Sequence, residues 1–292
     1  MIKGLGQRRA KLYGKFGPVV NSDGALLTFA SAYSQKAREA LAEANSFKIE
    51  EIKIFLKRLP VSLDGFRIVQ LSDIHHSPFT SSEFIEQIVK TANDLHPDMF
   101  VLTGDYVSHE PEYIAPVAQI LGKLRSEFGT FACLGNHDHW TDAKLVTNEF
   151  RRNNIKMLVN EGFRFLARGA SFWMCGVDDF GEGLSNIRQS LRGSRYDEMK
   201  LLLAHNPAIM RRAAYWDIDL VLSGHTHGGQ VKIREPREKF LFPNRRRRFS
   251  SGLHYRKETQ IYITRGIGTV VIPMRYQCPP EISVLELRAT NI

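Results

Sequence analysis

The chain has 292 residues, of which 43% are hydrophobic and 24% charged, and a formal net charge of +9 at pH 7. That balance excludes an intrinsically disordered chain. It also allows a sizeable buried core, in one large domain or two small ones. No apolar run approaches the ~20 residues a membrane-spanning helix needs; near the N-terminus the longest is Gly24 to Tyr33. The charge is unevenly placed. Residues 1–60 carry 11 Lys/Arg against 5 Asp/Glu, and residues 232–257 carry 10 against 2, so the rest is mildly acidic. Two basic segments on an acidic body are either solvated surfaces or attractors of phosphate groups on a membrane, a nucleic acid or a small substrate.

Along the chain, Arg8 and Arg9 precede a short apolar stretch, and Ala30-Ser31-Ala32 has the small-x-small form of a leader cleavage site. Asn21-Ser22-Asp23 interrupts that stretch, so the segment reads either as a degenerate export leader or as a basic surface segment. Ser34 to Asn45 is Ala-rich with helically spaced charges and predicts a short helix. Residues 1–46 are therefore expected to form a basic, partly helical extension, with the folded domain over 47–289. Strands are predicted over Phe47–Leu56, Phe66–Leu71, Met99–Leu102, Thr130–Leu134, Phe172–Val177, Leu201–Ala204, Leu220–Leu222, Gln260–Thr264 and Ile282–Leu287. Helices are predicted over Ser81–Leu95, Ile114–Leu124 and Asp142–Asn153. Strands alternating with helices imply a layered α/β domain, and the strand-rich end implies a second sheet packed on the first. Cys133, Cys175 and Cys278 form no CxxC pair and read as buried thiols.

Five apolar runs end in residues fit to bind metal. They lead into Ser72-Asp73-Ile74-His75-His76, Thr103-Gly104-Asp105, Gly135-Asn136-His137-Asp138-His139, Ala204-His205-Asn206 and Ser223-Gly224-His225-Thr226-His227. Ligands of α/β sheets sit at the carboxyl ends of strands. A lone His there is usually a satisfied polar residue; five such ends together are not a coincidence of composition. Imidazole and carboxylate donors suit manganese, iron, zinc, cobalt or nickel, and are too nitrogen-rich for magnesium or calcium alone. Seven donors exceed the need of one ion and suit two if one carboxylate bridges. Two ions ~3.5–4 Å apart can clamp the attacking and leaving oxygens of a phosphoryl transfer.

Asp73-x-His75, Gly104-Asp105, Gly135-Asn136-His137-Asp138, His205 and Gly224-His225-x-His227 together resemble the five-motif signature of the calcineurin-like metallophosphoesterases, from about Phe66 to Gly229. The resemblance implies an α/β fold, a four-layer αββα sandwich of two packed mixed β-sheets flanked by helices. It implies that Asp73, His75 and His227 bind one ion and Asn136, His205 and His225 a second, with Asp105 bridging. The ions would be divalent transition metals, manganese before iron, zinc or cobalt. His137 would sit near the leaving group and donate a proton to it or stabilise the charge there, and Asp138 would orient His137. A narrower resemblance runs through Leu59-Pro60, Asp64–Ile68, Leu71–His75, Arg265–Gly268, Pro273–Arg275 and Pro280–Ile282. It is similar to a bacterial branch of exported or membrane-linked phosphodiesterases and UDP-2,3-diacylglucosamine pyrophosphatases of lipid A synthesis.

The expected activity is hydrolysis of a phosphodiester or pyrophosphate bond. The expected substrate is a phosphorylated small molecule or a lipid-linked one such as UDP-2,3-diacylglucosamine. A general phosphodiesterase or nuclease, and a non-catalytic scaffold, are the rivals. The stretch Lys239–Phe249 mixes aromatic and basic residues. It reads as a mobile surface loop or as a lip for a membrane or an anionic lipid. Nucleic acid is disfavoured, since no reader motif accompanies the charge. The expected location is cytoplasmic and peripheral at the inner membrane, with export behind a degenerate leader as the alternative. His76, His139, Arg265 and Arg275 are candidate substrate contacts, the two arginines equally fit to pair with carboxylates. Asp178-Asp179 follows a strand but reads as structural.

Overall fold

A computed structural model describes residues 35–232 and 249–290. Along β2 (Phe66–Leu71) the side chains alternate: Phe66 and Ile68 enter one core, Val69 and Leu71 another. β3 (Met99–Thr103) repeats this, with Met99 and Val101 on one side and Phe100 and Leu102 on the other. A strand buried on both faces reads as a near-continuous apolar run, as in Met99–Leu102, and β2 keeps enough of one around Arg67 and Gln70 to be plain in the sequence.

The first sheet has the order β1 (Lys48–Leu56), β12 (Glu281–Ala289), β2, β3, β4 (Thr130–Cys133), β5 (Ile155–Met157). The second has the order β10 (Gly252–Arg256), β11 (Thr259–Ile263), β9 (Leu220–Ser223), β8 (Lys200–Leu203), β7 (Ala170–Gly176), β6 (Glu161–Ala167). Both are mixed. In the first, β12 runs antiparallel to β2, while β2, β3, β4 and β5 are parallel. In the second, β7, β8, β9 and β11 are parallel and the outer strands β6 and β10 are antiparallel.

One core lies between the sheets, where Phe66, Ile68, Met99 and Phe131 meet Phe165, Phe172, Met174, Leu201 and Leu220. Phe66 sits edge-on to Phe165 and Phe172, at ring-centroid distances of 6.1 and 6.5 Å, a favoured geometry for the ring quadrupoles. A second core joins Val69, Phe100 and Leu102 to the apolar stripes of α2 (Ser82–Asp94), α3 (Ile114–Leu121) and α5 (Ala143–Arg152). A third joins Cys175, Leu202 and Val221 to α6 (Ile187–Ser190) and α7 (Met210–Tyr215). The layers are helices, sheet, sheet, helices, the α/β sandwich expected from the motifs. All three cysteines are buried and free.

Residues from Glu39 onward fold as one unit; of the residues before it only 35–38 are described, within the helical run α1 (35–44). The leader and surface-segment readings of residues 1–34, and the basic run 239–248, lie outside the described residues. Among the described residues no helix is long and apolar enough to cross a membrane.

Three strands were not expected: β5, β6 and β10. Each is the outermost strand of its sheet. An edge strand buries little on its outer side, so its residues need not be apolar, and Leu166 of β6 is 72% exposed.

Candidate metal centre

Because β2, β3 and β4 are parallel, their carboxyl ends share one edge of the first sheet. Those of β8 and β9 share one edge of the second. The segments that leave these five ends turn sharply. Asp73, His75, Asp105, His225 and His227 all have positive φ, between 48° and 72°. For non-glycine residues this left-handed conformation costs roughly 1–2 kcal/mol each. Between Asp73 and His75, the fully buried Ile74 anchors the loop in the helix-side core. Close approach adds a second constraint. A Cβ on Gly224 would lie 2.0 Å from Ser72 Oγ and 2.2 Å from Asp73 Oδ2. One on Gly135 would lie 2.2 Å from Asp105 Oδ1. Only glycine fits at these crossings.

The donor atoms so placed form one unbroken row. Asp73 Oδ1 is 3.4 Å from His227 Nε2, which is 3.1 Å from His75 Nε2. His75 Nε2 is 3.7 Å from Asp105 Oδ2, which is 3.0 Å from His205 Nε2. His205 Nε2 is 3.1 Å from His225 Nδ1, which is 3.0 Å from Asn136 Oδ1. Asp105 stands at the centre, with three residues on either side. All seven are buried except the half-buried His225.

The backbone and neighbouring side chains aim these groups. His205 Nδ1 lies 2.7 Å from the Thr103 carbonyl; a carbonyl only accepts, so Nδ1 carries a proton and Nε2 faces the site. The His225 N–H donates to both Asp73 oxygens, at 2.9 and 3.1 Å. The Asp105 Oδ1 accepts from the His137 N–H at 2.9 Å. Gln70 Nε2 ties the two sheets together beneath the site, donating to Thr103 Oγ1 at 2.9 Å and the Ser223 carbonyl at 3.0 Å.

Burial pulls His75 and His225 down and, with Arg275 nearby, takes His227 to about 3, so these imidazoles are neutral at pH 7. Burial also lowers His205, but the Asp105 carboxylate more than reverses this and raises it to about 10. For Asp105 burial acts upward, and His205 with the other imidazoles outweighs it, holding the carboxyl well below the usual range. His75 and His227 turn their Nε2 atoms toward each other at 3.1 Å, and His205 Nε2 and His225 Nδ1 do the same. A cation satisfies that arrangement, and the donor set fits two: Asp73, His75 and His227 converge on one side, Asp105, His205 and His225 on the other. The imidazole-rich set suits a divalent transition metal.

His137 lies at the side of the row, on α4 (Asn136–Thr141). Its Nδ1 is 2.8 Å from the Ser108 carbonyl, which places the Nδ1 proton and leaves Nε2 free. Its ring sits edge-on to His75 at 4.7 Å. Asp138 does not orient it, contrary to expectation. The Asp138 carboxylate accepts from the backbone N–H groups of Gly135, Asp105 and Tyr106, at 2.8 to 2.9 Å. It therefore locks the β3 and β4 loops together, and a backbone carbonyl takes the orienting role.

The four candidate substrate contacts all have partners within the protein. His76 is buried, with Nδ1 on the Thr80 carbonyl and Nε2 near Ser82 Oγ. His139 Nε2 is held by Asp178 Oδ1 at 2.5 Å. Arg265 pairs with Glu50 at 2.8 Å and Glu281 at 3.2 Å. Arg275 is fully buried and donates to the carbonyls of Arg265, Gly266, Gly268 and Cys278. Each is engaged by the protein itself. Sequence reading missed Trp140 and His109, whose rings flank His137 at 4.5 and 5.1 Å. The signal for Trp140 was its spacing: three residues beyond His137, it falls on the same helix face.

Residues 66–229 match the family model for the calcineurin-like phosphoesterases. A Bacillus subtilis protein named "Uncharacterized metallophosphoesterase YkuE" is 30% identical over 97% of this chain and 98% of its own length. "Phosphodiesterase YaeI" of Escherichia coli is 31% identical over 76% of this chain and 82% of its own. The Bos taurus "Transmembrane protein with metallophosphoesterase domain" is 35% identical over 82% of this chain. The match spans only 57% of that bovine relative.

Proposed function

This chain belongs to the calcineurin-like phosphoesterase family, whose members are hydrolases acting on phosphoesters, and from that premise we propose that it hydrolyses a phosphodiester or pyrophosphate bond at a pair of divalent transition-metal ions. One observation carries the reading: a single row of donor atoms centred on Asp105 Oδ2, with three buried or half-buried residues converging on it from either side. Asp73, His75 and His227 would hold one ion and Asn136, His205 and His225 the other, with Asp105 shared. When bound, such ions supply Lewis acidity to phosphoryl oxygens and make water a nucleophile at neutral pH. Manganese is the first metal to test on the strength of the family resemblance, with iron, zinc and cobalt beside it.

The chain's own proton chemistry falls to His137. With Nδ1 tied to the Ser108 carbonyl, the imidazolium form of His137 would give its Nε2 proton to the departing oxygen and return to the neutral ring with the proton on Nδ1. His137→Ala should lower kcat by about 10²–10⁴-fold on diesters with alkoxide leaving groups. The loss should be much smaller for a nitrophenolate, which departs without a proton. Steady-state kinetics on both substrate types check this, and full activity on the alkyl diester would remove the role.

A second expectation concerns His205. Raised to about 10, it is charged at neutral pH before metal arrives, and a cation at Nε2 must displace that proton. Titrating manganese into metal-free protein at pH 7 should release about one proton from this residue. Calorimetry in buffers of different ionisation heat measures it, and His205→Gln should abolish that part of the release.

Within the pyrophosphate class, the finer reading is a UDP-linked acylated glucosamine of lipid A synthesis, met at the cytoplasmic membrane surface. Its support lies in the sequence: the motif run of the membrane-linked branch and the basic-aromatic stretch Lys239–Phe249. A general phosphodiesterase is the second reading, favoured by the name of the Escherichia coli relative. Manganese-loaded protein that cleaves a model diester and leaves the sugar nucleotide intact would decide for the second.

A further inference from the structure

His137 belongs to a three-ring aromatic cluster that the metal row does not require. His109 and Trp140 both contact it, with ring centroids 5.1 and 4.5 Å away. These two rings are also neighbours, nearly parallel at an interplanar angle of 9° and 6.4 Å apart. Trp140 is fixed at two points: its ring meets His137 at a tilt of 54°, and its indole Nε1 donates to Glu182 Oε1 at 2.9 Å. It is nevertheless 55% exposed. An indole normally buries its area, and one held open beside a proton donor is a preorganised surface. A rigid aromatic binds a ligand without losing rotamer freedom.

The placement of the surface determines what it can recognise. His137 Nε2 serves the oxygen of the leaving group, so whatever hangs from that oxygen lies next to Trp140. An indole face discriminates in favour of flat π-systems, because a planar ring makes contact over its whole area and offset rings attract through their quadrupoles. A saturated chain of the same size gains only area.

We propose that Trp140 is a specificity-determining residue that stacks a planar ring carried by the leaving group, so that this site prefers phosphodiesters or pyrophosphates whose departing half bears a nucleobase or aryl ring. The assignment rests on the phosphoesterase reading and on the role of His137 in it. His109 lies parallel to the indole, 6.4 Å away. Glu182 prevents the indole from rotating away.

The test uses the full chain loaded with manganese and three diesters: one releasing 2-phenylethanol, one releasing 2-cyclohexylethanol, and one releasing a nucleoside through its 5′ oxygen. The first two match in size and leaving-group basicity and differ only in planarity. Wild-type kcat/KM should favour the phenyl over the cyclohexyl compound about tenfold, the scale of one ring stacked on an aromatic side chain. Trp140→Leu should bring the ratio to about one, and Trp140→Phe should keep most of it, which separates stacking from mere support of His137. If the nucleoside diester shares the dependence on residue 140, the natural ring is a base; if only the phenyl compound does, it is an aryl group. A binding readout stands beside turnover. A phenylethyl phosphonate should quench the indole fluorescence of the wild type and leave that of Trp140→Phe, with Trp173 and Trp216 still present, unchanged. Equal ratios in wild type and Trp140→Leu, or no quenching, overturn the assignment. Quenching without hydrolysis of any diester instead overturns the phosphoesterase reading and leaves the stacking surface standing.

Discussion

Asp105→Asn should lower hydrolysis by at least about 10³-fold, the scale seen when one preorganised polar contact to a reacting centre is removed, and should do so with the fold intact. The amide has the shape of the carboxylate and can still accept the His137 N–H, now 2.9 Å from Asp105 Oδ1. What it loses is the charge that both halves of the row share: Oδ2 is 3.0 Å from His205 Nε2 and 3.7 Å from His75 Nε2. Without that charge His205 has no reason to be raised, and neither cation keeps its common anionic ligand. A ligand that binds only the folded state stabilises it by about 2.7 kcal/mol at a hundred times its dissociation constant. For a domain of this size that corresponds to several degrees in Tm. Wild type should show such a rise when manganese is added, and Asp105→Asn should show almost none, while their metal-free melting curves stay close. Metal content by elemental analysis should fall below two per chain. An unchanged metal-dependent Tm shift in the variant would show that Asp105 is not the shared ligand.

What could be read from the sequence, and what could not, follows from where each group finds its partner. The seven donors were legible because each follows an apolar run, and a run buried on both faces, such as Phe66–Leu71, is visible without knowing what covers it. The strands that escaped notice, β5, β6 and β10, are edges, where one side of the ladder has no neighbour to demand apolar residues. The orientation of His137 was misread for a different reason. Asp138 is next to it in the chain, yet the Asp138 carboxylate is consumed by three backbone N–H groups, and the carbonyl that does orient the ring belongs to Ser108, 29 residues away. Backbone partners leave no trace in residue types. The arginines show the same limit, since a guanidinium that binds substrate and one that binds carbonyls are spelled alike.

Arg275 is the residue whose loss should damage the fold most. It is fully buried, and burial pulls its guanidinium down, to about 10, which still leaves it charged at neutral pH. Its Nη2 donates to the carbonyls of Arg265 at 2.9 Å, Gly266 at 3.2 Å and Gly268, and its Nη1 to that of Cys278 at 3.2 Å. These carbonyls belong to the loop that runs under the metal row. In that loop the N–H of Ile267 donates to the Ser72 carbonyl at 3.0 Å, and that of Gly268 to the Asp73 carbonyl at 2.7 Å. Arg275→Met fills much of the same volume but supplies no donor, so several buried carbonyls lose their partner together. Each such loss costs roughly 1–3 kcal/mol, and breaking a buried charged network typically about 3–5 kcal/mol. The expected result is a destabilisation of about 3–5 kcal/mol by urea denaturation, with weaker metal binding because the loop behind Asp73 and His227 loosens. Arg275→Lys should recover only part of this, since an ammonium keeps the charge but cannot reach carbonyls spread around a planar fork. A loss below about 1 kcal/mol in Arg275→Met would mean that water replaces the guanidinium at these carbonyls, and the loop would then hold its shape without Arg275.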